Sequence, residues 1–256
     1  MDKLVQQVEA HHTELQRLRP LSPRGLSNLE HVQDIELTYT SNAIEGNTLT
    51  AAETTLVVEQ GITIGGKPLK DHMEAINHYQ AIRYVRELAR RGTPLTEMDL
   101  RTLHSLVVRR SDPDIAGRYA DQGRYVMTDA GRHSFPSPAE VPALMGDFAA
   151  WLAAAPDTPA TAFTAHRRLV TIHPFNDGNG RTARLCMNLV LLRGGYPPIA
   201  VRPADRPDYV GALQQAAPES FNRLLFERLA STLEEYLTAL QEALPGSTPR
   251  GETATR

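Results

Sequence analysis

The sequence predicts an all-α fold, and three observations lead to this prediction. Apolar residues recur at helical spacing in most segments, capping boxes, prolines and glycines separate these segments, and the strand-like stretches are short. We therefore expect a compact helical bundle with a short β-hairpin. With 256 residues, 41% of them hydrophobic and 22% charged, the chain has an ordinary globular composition and enough length to bury a core.

The composition also narrows the possible partners and compartments. The formal net charge of −3 offers no electrostatic basis for binding nucleic acid or an anionic membrane. The single cysteine, Cys186, excludes an internal disulfide and a cysteine-based zinc cluster. Residues 1–7 lack an apolar signal core, and no stretch reaches ~18 uninterrupted apolar residues. We expect a cytoplasmic protein that contacts neither nucleic acid nor a membrane.

The beginning of the chain divides into two helical segments. The pattern of residues 1–19 predicts an amphipathic helix that is broken around Pro20–Pro23. Residues 1–25 are interpreted as an N-terminal helical arm whose role is left open. A second helix is expected from Leu26 to Ile44, where its apolar periodicity ends.

Capping boxes and turn residues predict the elements that follow. Thr50 and Glu53 form a capping box for a short helix that ends at Gly61, and residues 62–69 indicate a small hairpin. Helices are predicted at Asp71–Arg91 and Phe221–Leu244, and further helix starts at Thr96 and at Ser137–Glu140. A β-hairpin is expected between Arg124 and Phe135, and a polar, disordered tail over residues 245–256.

The densest chemistry lies in one stretch, His173-Pro-Phe-Asn-Asp-Gly-Asn-Gly-Arg-Thr-Ala-Arg184. The helical pattern before it stops at Pro174, and a new helical pattern begins at Arg181. The turn from Gly178 to Gly180 therefore lies at a helix N-terminus, where unpaired N–H groups and the helix dipole favour an anion. The glycines allow the backbone to approach that anion closely.

Four side chains around this turn match the needs of a nucleotide polyphosphate. Arg181 and Arg184 are three residues apart on one helix face, so they can clamp phosphate oxygens together. Asp177 is placed to hold Mg²⁺ between carboxylate and phosphate oxygens. His173 carries an imidazole, whose ordinary pKa lies near neutrality, as a general base requires. A lone glycine turn or a lone histidine would be structural, but the combination predicts a nucleotide site with its own base.

This stretch resembles the signature of Fic-domain proteins. The family pattern is His-x-Phe-x-(Asp/Glu)-Gly-Asn-Gly-Arg-x-x-Arg, and every specified position is filled here. The resemblance extends over roughly residues 30–240 and is strongest at residues 173–199. The resemblance implies a Fic-type helical bundle in which residues 26–244 form one catalytic domain. It also implies a nucleotidyltransferase that uses Mg²⁺ and moves AMP from ATP to a Ser, Thr or Tyr hydroxyl of a target protein. The implied nucleotide-binding residues are Gly178, Asn179, Gly180, Arg181, Arg184, Asn188 and Tyr209, and the last of these is expected near the adenine.

The resemblance also implies an inhibitory motif at the end of the second predicted helix. Ser41, Glu45 and Gly46 match the pattern (Ser/Thr)-x-x-x-Glu-(Gly/Asn), in which the glutamate pairs with the second arginine of the signature. Carried over to this chain, Glu45 opposes Arg184 and prevents productive placement of the γ-phosphate. A carboxylate at a helix C-terminus is disfavoured by the helix dipole and needs a cationic partner in any case. We therefore expect an autoinhibited enzyme whose inhibitory helix precedes the catalytic core.

The predicted hairpin between Arg124 and Phe135 has a functional counterpart in Fic relatives. There it forms a flap that holds an extended segment of the target protein, because a strand edge offers main-chain hydrogen bonds to almost any peptide. Ala120 stands where the family often has an arginine, so the contacts of the flap are left open. The implied target-binding residues are Tyr125, Val126, Met127 and Thr128.

Two alternative functions are compatible with the same residues. In the first, the reaction runs backwards, with Glu45 positioning a water that removes AMP from a modified protein. In the second, the chain is a non-catalytic, nucleotide-responsive interaction module, which the intact signature disfavours. The target protein, a donor other than ATP and the formation of a homodimer are left open by the sequence.

Overall fold

The computed structural model describes residues 1–18, 23–128, 131–215 and 217–242, and it confirms the all-α prediction. These residues form ten α-helices, one two-stranded antiparallel sheet and three short π- or 3₁₀-helical segments. The helices are α1 (Asp2–Arg17), α2 (Pro23–Ile44), α3 (Ala51–Thr55), α4 (Leu69–Arg91), α5 (Glu97–Val108), α6 (Val141–Ala154), α7 (Pro159–Ile172), α8 (Asn179–Arg193), α9 (Arg206–Gln214) and α10 (Glu219–Glu242). The strands are β1 (Tyr125–Thr128) and β2 (Gly131–Ser134).

Helix α8 is the central element of the bundle. Every position from Arg181 to Leu191 is buried, and the helix packs against α7, α4 and α5. A helix covered on all sides needs apolar residues around its whole circumference, which explains the nearly continuous apolar run after Arg184. Cys186 lies in this run, and burial raises the pKa of its thiol to about 12, as expected for a packed cysteine. The N-terminal turn of α8 thus carries its charged side chains into the protein interior.

The capping motifs place most helix starts correctly. Thr50 and Glu53 form the predicted capping box of α3, and Thr96 and Asp99 form that of α5. The start of α6 is a correction, because the helix begins at Val141 and not at the predicted Ser137–Glu140 box. The Ser137 N–H and hydroxyl both donate to the Glu140 carboxylate, at 2.8 Å and 2.6 Å, and close a turn that precedes the helix.

The small hairpin predicted at residues 62–69 is wrong. These residues form a turn without strand pairing, which follows a short π-helical segment, Leu56–Gln60. The Ile64 N–H donates to His72 Nε2 at 2.8 Å, and Lys67 Nζ donates to the Thr48 carbonyl at 2.5 Å. The Ile64 N–H, which a strand ladder would use, is thus bound to a side chain of α4, and the glycines mark only a turn.

The predicted flap hairpin is confirmed in type and position. β1 and β2 pair antiparallel, with Tyr125 opposite Ser134 and Thr128 opposite Gly131. Residues 129–130 of the predicted turn lie outside the described residues. Tyr125, Val126 and Met127 are exposed, which places an apolar edge on the surface of the protein.

Helix α1 lies along α10 and brings the two ends of the described chain together. Val8 and Leu15 of α1 are buried in the common core. Across the parts of the chain that are described, no helix combines the length and apolarity needed to cross a bilayer. Of the predicted break at Pro20–Pro23, residues 20–22 lie outside the described residues and Pro23 is the first residue of α2. The predicted tail at residues 245–256 also lies outside the described residues.

Helix α2 is held to α4 by a buried ion pair. Arg86 Nη2 donates to Asp34 Oδ1 at 2.7 Å, and Arg86 Nε donates to Asp34 Oδ2 at 3.2 Å. A second carboxylate, that of Glu30, lies 3.3 Å from Arg86 Nη1. Because both ends of the bidentate pair are buried, its geometry fixes the position of α2 on α4.

We expect Arg86→Leu to destabilise the fold strongly. The substitution leaves the Asp34 carboxylate buried without its partner, and breaking a buried pair in this way costs about 3–5 kcal/mol. Urea denaturation of wild type and variant measures the loss as a change in the free energy of unfolding. Arg91→Leu is the matched control, because Arg91 pairs with Glu87 on the surface at 2.8 Å and should contribute little. Equal losses for the two variants would contradict the assigned role of Arg86.

Candidate active site

The loop between α7 and α8 is shaped by its own side chains. Asn179 closes it, since its amide oxygen accepts from the Phe175 N–H at 2.9 Å and its amide nitrogen donates to the Phe175 carbonyl at 2.8 Å. Gly178 begins α8 in the left-handed region, with φ 76°, where a side chain would be strained. A Cβ there would also press on Val108 Cγ1 at 3.0 Å. The Asn179 side chain is therefore occupied within the loop, and its contact with a phosphate stays a prediction.

A buried histidine of α5, His104, supports this loop. His104 Nε2 donates to the Asp177 carbonyl at 3.0 Å, and its Nδ1 accepts from the Gly117 N–H at 3.0 Å. The His104 ring stacks on Phe175, with 3.7 Å between ring centroids. Burial lowers the pKa of His104 to about 4, so the ring stays neutral and can both donate and accept. A single histidine on an apolar helix face gave no signal of this role.

His173 ends α7 in an unusual backbone conformation. Among the described residues it is the one non-glycine residue with positive φ, at 51°. Its ring stacks on Phe135, which follows β2, with 3.8 Å between centroids. Nδ1 lies 3.3 Å from the Val170 carbonyl, and because a carbonyl only accepts, Nδ1 carries the proton and Nε2 has the free lone pair. Strained, well-packed residues of this kind are concentrated at functional sites.

The electrostatic surroundings keep His173 neutral. Its pKa is lowered to about 4, chiefly because the ring is buried, and the positive charge of Arg124 lowers it further. The pKa is raised by the Val170 carbonyl and by the carboxylates of Glu45 and Asp177, but burial and Arg124 outweigh these groups. The side chain is therefore an unprotonated imidazole at neutral pH, which is the form that accepts a proton.

Arg184 is buried and held by groups from α2. Its Nη2 lies 2.7 Å from Glu45 Oε1 and donates to the Ser41 carbonyl at 2.9 Å, while Nε donates to Ser41 Oγ at 2.9 Å. The structure thus brings together the predicted Ser41, Glu45 and Arg184. Arg206 supports the same end of α2, since its Nε donates to the Ile44 carbonyl at 2.8 Å.

The Glu45 carboxylate lies directly over the N-terminal turn of α8. A Cβ added to Gly180 would overlap Glu45 Oε1 and would come within 3.2 Å of Arg184 Nη1. Burial by itself would raise the pKa of Glu45, but the Arg184 guanidinium outweighs it and holds that pKa below its ordinary value. Glycine at position 180 therefore permits a carboxylate to occupy the position where a helix N-terminus binds an anion.

Arg181 is paired with a carboxylate that the sequence did not indicate. Its Nη1 lies 2.9 Å from Glu74 Oε1, and its Nη2 lies 3.4 Å from Asp177 Oδ1. Glu74 is buried on α4, and its other oxygen accepts from Asn47 at 3.1 Å. The two arginines of the predicted clamp thus have separate acidic partners. Glu74 was missed because a lone glutamate within a long amphipathic helix carries no motif.

Two predicted nucleotide-binding residues are deeply buried. Asn188 donates to the Ile199 carbonyl at 3.1 Å and accepts from the Ile199 N–H at 2.9 Å, which clamps the segment after α8. The Tyr209 hydroxyl lies 3.4 Å from Arg184 Nη1 and 2.7 Å from His166 Nε2. Both side chains support the site from behind, and their contact with a nucleotide stays a prediction.

Comparison with known proteins assigns the family. The Fic/DOC family profile matches residues 94–191, which include the stretch from His173 to Arg184. A Fic domain containing signaling protein from Bacteroides thetaiotaomicron has the same fold, with a TM-score of 0.86 and 31% identity over 96% of this chain and 99% of that one. The chain belongs to the Fic family.

Other relatives agree with this assignment. Fic-1 from C. elegans superposes with a TM-score of 0.84 at 28% identity, covering 95% of this chain and 73% of that one. Proteins named Protein adenylyltransferase Fic from Nematostella vectensis and Culex quinquefasciatus are 37% and 35% identical over 209 and 226 residues. These alignments cover 78% and 85% of this chain but 48% and 44% of the relatives. The chain therefore spans about half the length of the curated relatives it matches.

The contact between Glu45 and Arg184 predicts a specific dependence of stability on pH. Since the folded state lowers the pKa of Glu45, the ion pair stabilises the fold at pH values above the ordinary carboxyl pKa of 4.5, and this contribution is lost as the pH falls through the lowered value. We expect Glu45→Gln to melt below wild type from pH 8 to about 5, and the difference in Tm to shrink at more acid pH. Glu87→Gln, which alters a surface pair, is the control. A difference that widens towards acid pH would contradict the ion pair.

Proposed function

We propose that this Fic protein is a nucleotidyltransferase that moves AMP from ATP to a hydroxyl group of a target protein. The observation that carries the proposal is a neutral imidazole, His173, beside a helix N-terminus that bears two buried arginines, Arg181 and Arg184. The imidazole can accept a proton, and the helix N-terminus and the two arginines can hold a polyphosphate. The relatives named Protein adenylyltransferase Fic support the same activity, with ATP as the donor.

In this proposal His173 is the general base. The target hydroxyl gives its proton to Nε2, because Nδ1 already donates to the Val170 carbonyl. The hydroxyl oxygen then bonds to the α-phosphorus of ATP, and the bond from that phosphorus to its bridging oxygen breaks. Pyrophosphate leaves, and the target keeps AMP as a phosphodiester.

The N-terminus of α8 stabilises the charge that develops on the phosphates. The first N–H groups of the helix, from Asn179 to Arg181, have no partner within the helix and point at the anion. Arg181 and Arg184 orient the pyrophosphate that leaves. For this they exchange Glu74 and Glu45 for phosphate oxygens, which bind guanidinium groups in a similar geometry.

Asp177 is the residue that would hold Mg²⁺. Its side chain is 53% exposed next to the phosphate site. The described residues contain no group of three or more His, Cys, Asp and Glu side chains that could enclose a metal. A single carboxylate nevertheless fits Mg²⁺, which is usually bound by one or two carboxylates together with substrate phosphates. When bound, the ion would neutralise charge on the α- and β-phosphates.

Glu45 makes the proposed enzyme autoinhibited. Its carboxylate occupies the anion position over Gly180 and binds the Arg184 nitrogen that a phosphate would need. An ATP molecule can therefore take a productive position only when this carboxylate has moved away. Ser41 supports the inhibition because its hydroxyl accepts from Arg184 and fixes this side chain. Gly46 supports it because its positive φ ends the helical segment next to the arginine.

The exposed edge formed by Tyr125, Val126, Met127 and Thr128 is the proposed binding surface for the target protein. An extended segment of the target can pair with this edge through main-chain hydrogen bonds. The hairpin lies beside the base, since Phe135 stacks on His173. This geometry would present a Ser, Thr or Tyr hydroxyl to Nε2 with little dependence on the neighbouring sequence.

Removal of AMP from a modified protein is the second candidate function. The observation in its favour is that the Glu45 side chain is 37% exposed at the anion site, so that water reaches it. Substitution of Glu45 separates the two functions, because it should increase transfer and abolish removal.

We expect Glu45→Gly to activate AMP transfer and His173→Ala to abolish it. Freeing Arg184 restores a charge-assisted contact worth about 1.5–3 kcal/mol, which corresponds to an increase of about ten- to hundredfold in transfer. Adding His173→Ala should then lower the rate by about 10²–10⁴, the usual contribution of a general base. The measurement is the label found on protein after incubation with Mg²⁺ and ATP labelled at its α-phosphate.

Glu59→Gly is the control for this experiment, because Glu59 pairs with His31 away from the arginines. It should leave transfer at the wild-type level. Equal labelling of wild type and Glu45→Gly would refute the autoinhibition but not the transfer. Label that persists in the Glu45→Gly/His173→Ala variant would refute His173 as the base.

The lowered pKa of His173 predicts the pH profile of the active variant. A general base loses activity as it becomes protonated, so kcat/KM of Glu45→Gly should fall only as the pH approaches about 4. Between about pH 6 and 8 the rate should stay near its maximum, whereas an ordinary imidazole would lose half its activity near pH 6.5. Circular dichroism over the same range controls for unfolding. A half-maximal rate at pH 6.5 or above would show that the site does not lower this pKa.

A further inference from the structure

A buried hydrogen-bond chain runs from Arg184 away from the phosphate site. Arg184 Nη1 donates to the Tyr209 hydroxyl oxygen at 3.4 Å, and this oxygen lies 2.7 Å from His166 Nε2. All three side chains are buried, His166 completely. The chain thus links α8 to α9 and α7 behind the arginine.

The direction of the hydrogen bonds follows from the chemistry of the three groups. Arg184 can only donate, so the Tyr209 oxygen accepts from it. The Tyr209 hydroxyl proton then needs an acceptor, and His166 Nε2 lies within reach. His166 can accept because burial and the charge of Arg184 lower its pKa to about 3 and keep the ring neutral.

Aromatic packing holds this pair rigidly. The Tyr209 ring lies 5.7 Å from the His166 ring and 6.1 Å from that of Phe221, between centroids. The His166 and Phe221 rings are 5.1 Å apart. Phe221 is itself fully buried at the start of α10, so the three rings belong to the permanent core of the bundle.

Arg184 is therefore held on two sides, by polar groups of the predicted inhibitory motif on one and by a tyrosine of the core on the other. On one side, Nε and Nη2 contact Ser41 and Glu45 of α2. On the other side, Nη1 contacts Tyr209 of the core. When Glu45 withdraws, Nη2 becomes available to a phosphate, and Ser41 on one side and Tyr209 on the other still hold the guanidinium. A long side chain that has lost one of its partners can also turn away from the phosphate unless the remaining contacts direct it.

We infer that Tyr209 and His166 are positioning residues, which keep the Arg184 guanidinium directed at the terminal phosphates of the nucleotide once Glu45 has left. The inference rests on the proposed function and gives Tyr209 a task distinct from a contact with adenine. Tyr209 fixes Nη1, and because the guanidinium is planar and rigid, this also fixes Nη2. His166 acts one step further away by orienting the Tyr209 hydroxyl.

The test compares the binding of a triphosphate and a monophosphate in the Glu45→Gly background. The probes are AMP and an ATP analogue with a methylene bridge between the α- and β-phosphorus atoms, each titrated calorimetrically with Mg²⁺ present. Tyr209→Phe should weaken binding of the ATP analogue about three- to tenfold, the effect of one hydrogen bond. Binding of AMP should change less than about twofold, because AMP lacks the phosphates that Arg184 contacts.

Two further variants separate positioning from general support of the fold. His166→Leu should reproduce the selective loss of triphosphate binding, and His166→Gln, which keeps a hydrogen-bond acceptor, should recover part of it. Tyr236→Phe is the matched control, because it removes a tyrosine hydroxyl that donates to Gln33 and is not among the described hydrogen-bond partners of Arg184. It should leave both affinities unchanged.

The outcomes distinguish the inference from the function on which it rests. If Tyr209→Phe weakens both ligands equally, or neither, Tyr209 does not position Arg184 and the inference is wrong, while the proposed function stands. If Glu45→Gly binds no better than wild type and transfers no AMP, the proposed function fails and the inference falls with it. A selective loss with the ATP analogue supports both.

Discussion

The burial of two arginines on the central helix is the constraint on which the rest of the structure depends. A guanidinium cannot be removed from water at acceptable cost unless an anion or a set of acceptors replaces the water. Arg181 obtains Glu74 from α4, and Arg184 obtains Glu45 and Ser41 from α2. The helices that supply these groups must therefore lie against the N-terminal turn of α8, and the Arg86–Asp34 pair holds them there together.

The same constraint explains why an inhibitor and a substrate can compete for one site. Carboxylate and phosphate oxygens satisfy a guanidinium and a helix N-terminus by the same interactions. In the proposed function, the Glu45 carboxylate that pairs with Arg184 in the resting fold therefore occupies the position that the nucleotide would need. Tyr209 holds Arg184 from the core side, which is why we assign the orientation of this arginine after the departure of Glu45 to Tyr209 and His166.

Sequence reasoning predicted the helices more accurately than the turns. Long periodic segments such as α4 and α10 were recognised because many residues contribute to one pattern. The hairpin at residues 62–69 was wrong because the Ile64 N–H bonds to His72 and not to a second strand. The helix start at Ser137 was wrong because the bonds between Ser137 and Glu140 close a turn, and the helix begins only at Val141. The hairpin between Arg124 and Phe135 was predicted correctly, and the pairing of Tyr125 with Ser134 agrees with its expected extent.

By itself, the sequence determined the helical class, the family signature from His173 to Arg184 and the motif that ends in Glu45, because each of these is local in the chain. Only the tertiary structure decided which carboxylate pairs with which arginine. It also decided that the Asn179 side chain bonds within the loop and that Tyr209 lies behind Arg184. These contacts join residues on different helices, and no spacing along one chain specifies them. They depend on how helices pack around buried charges, which a local pattern does not contain.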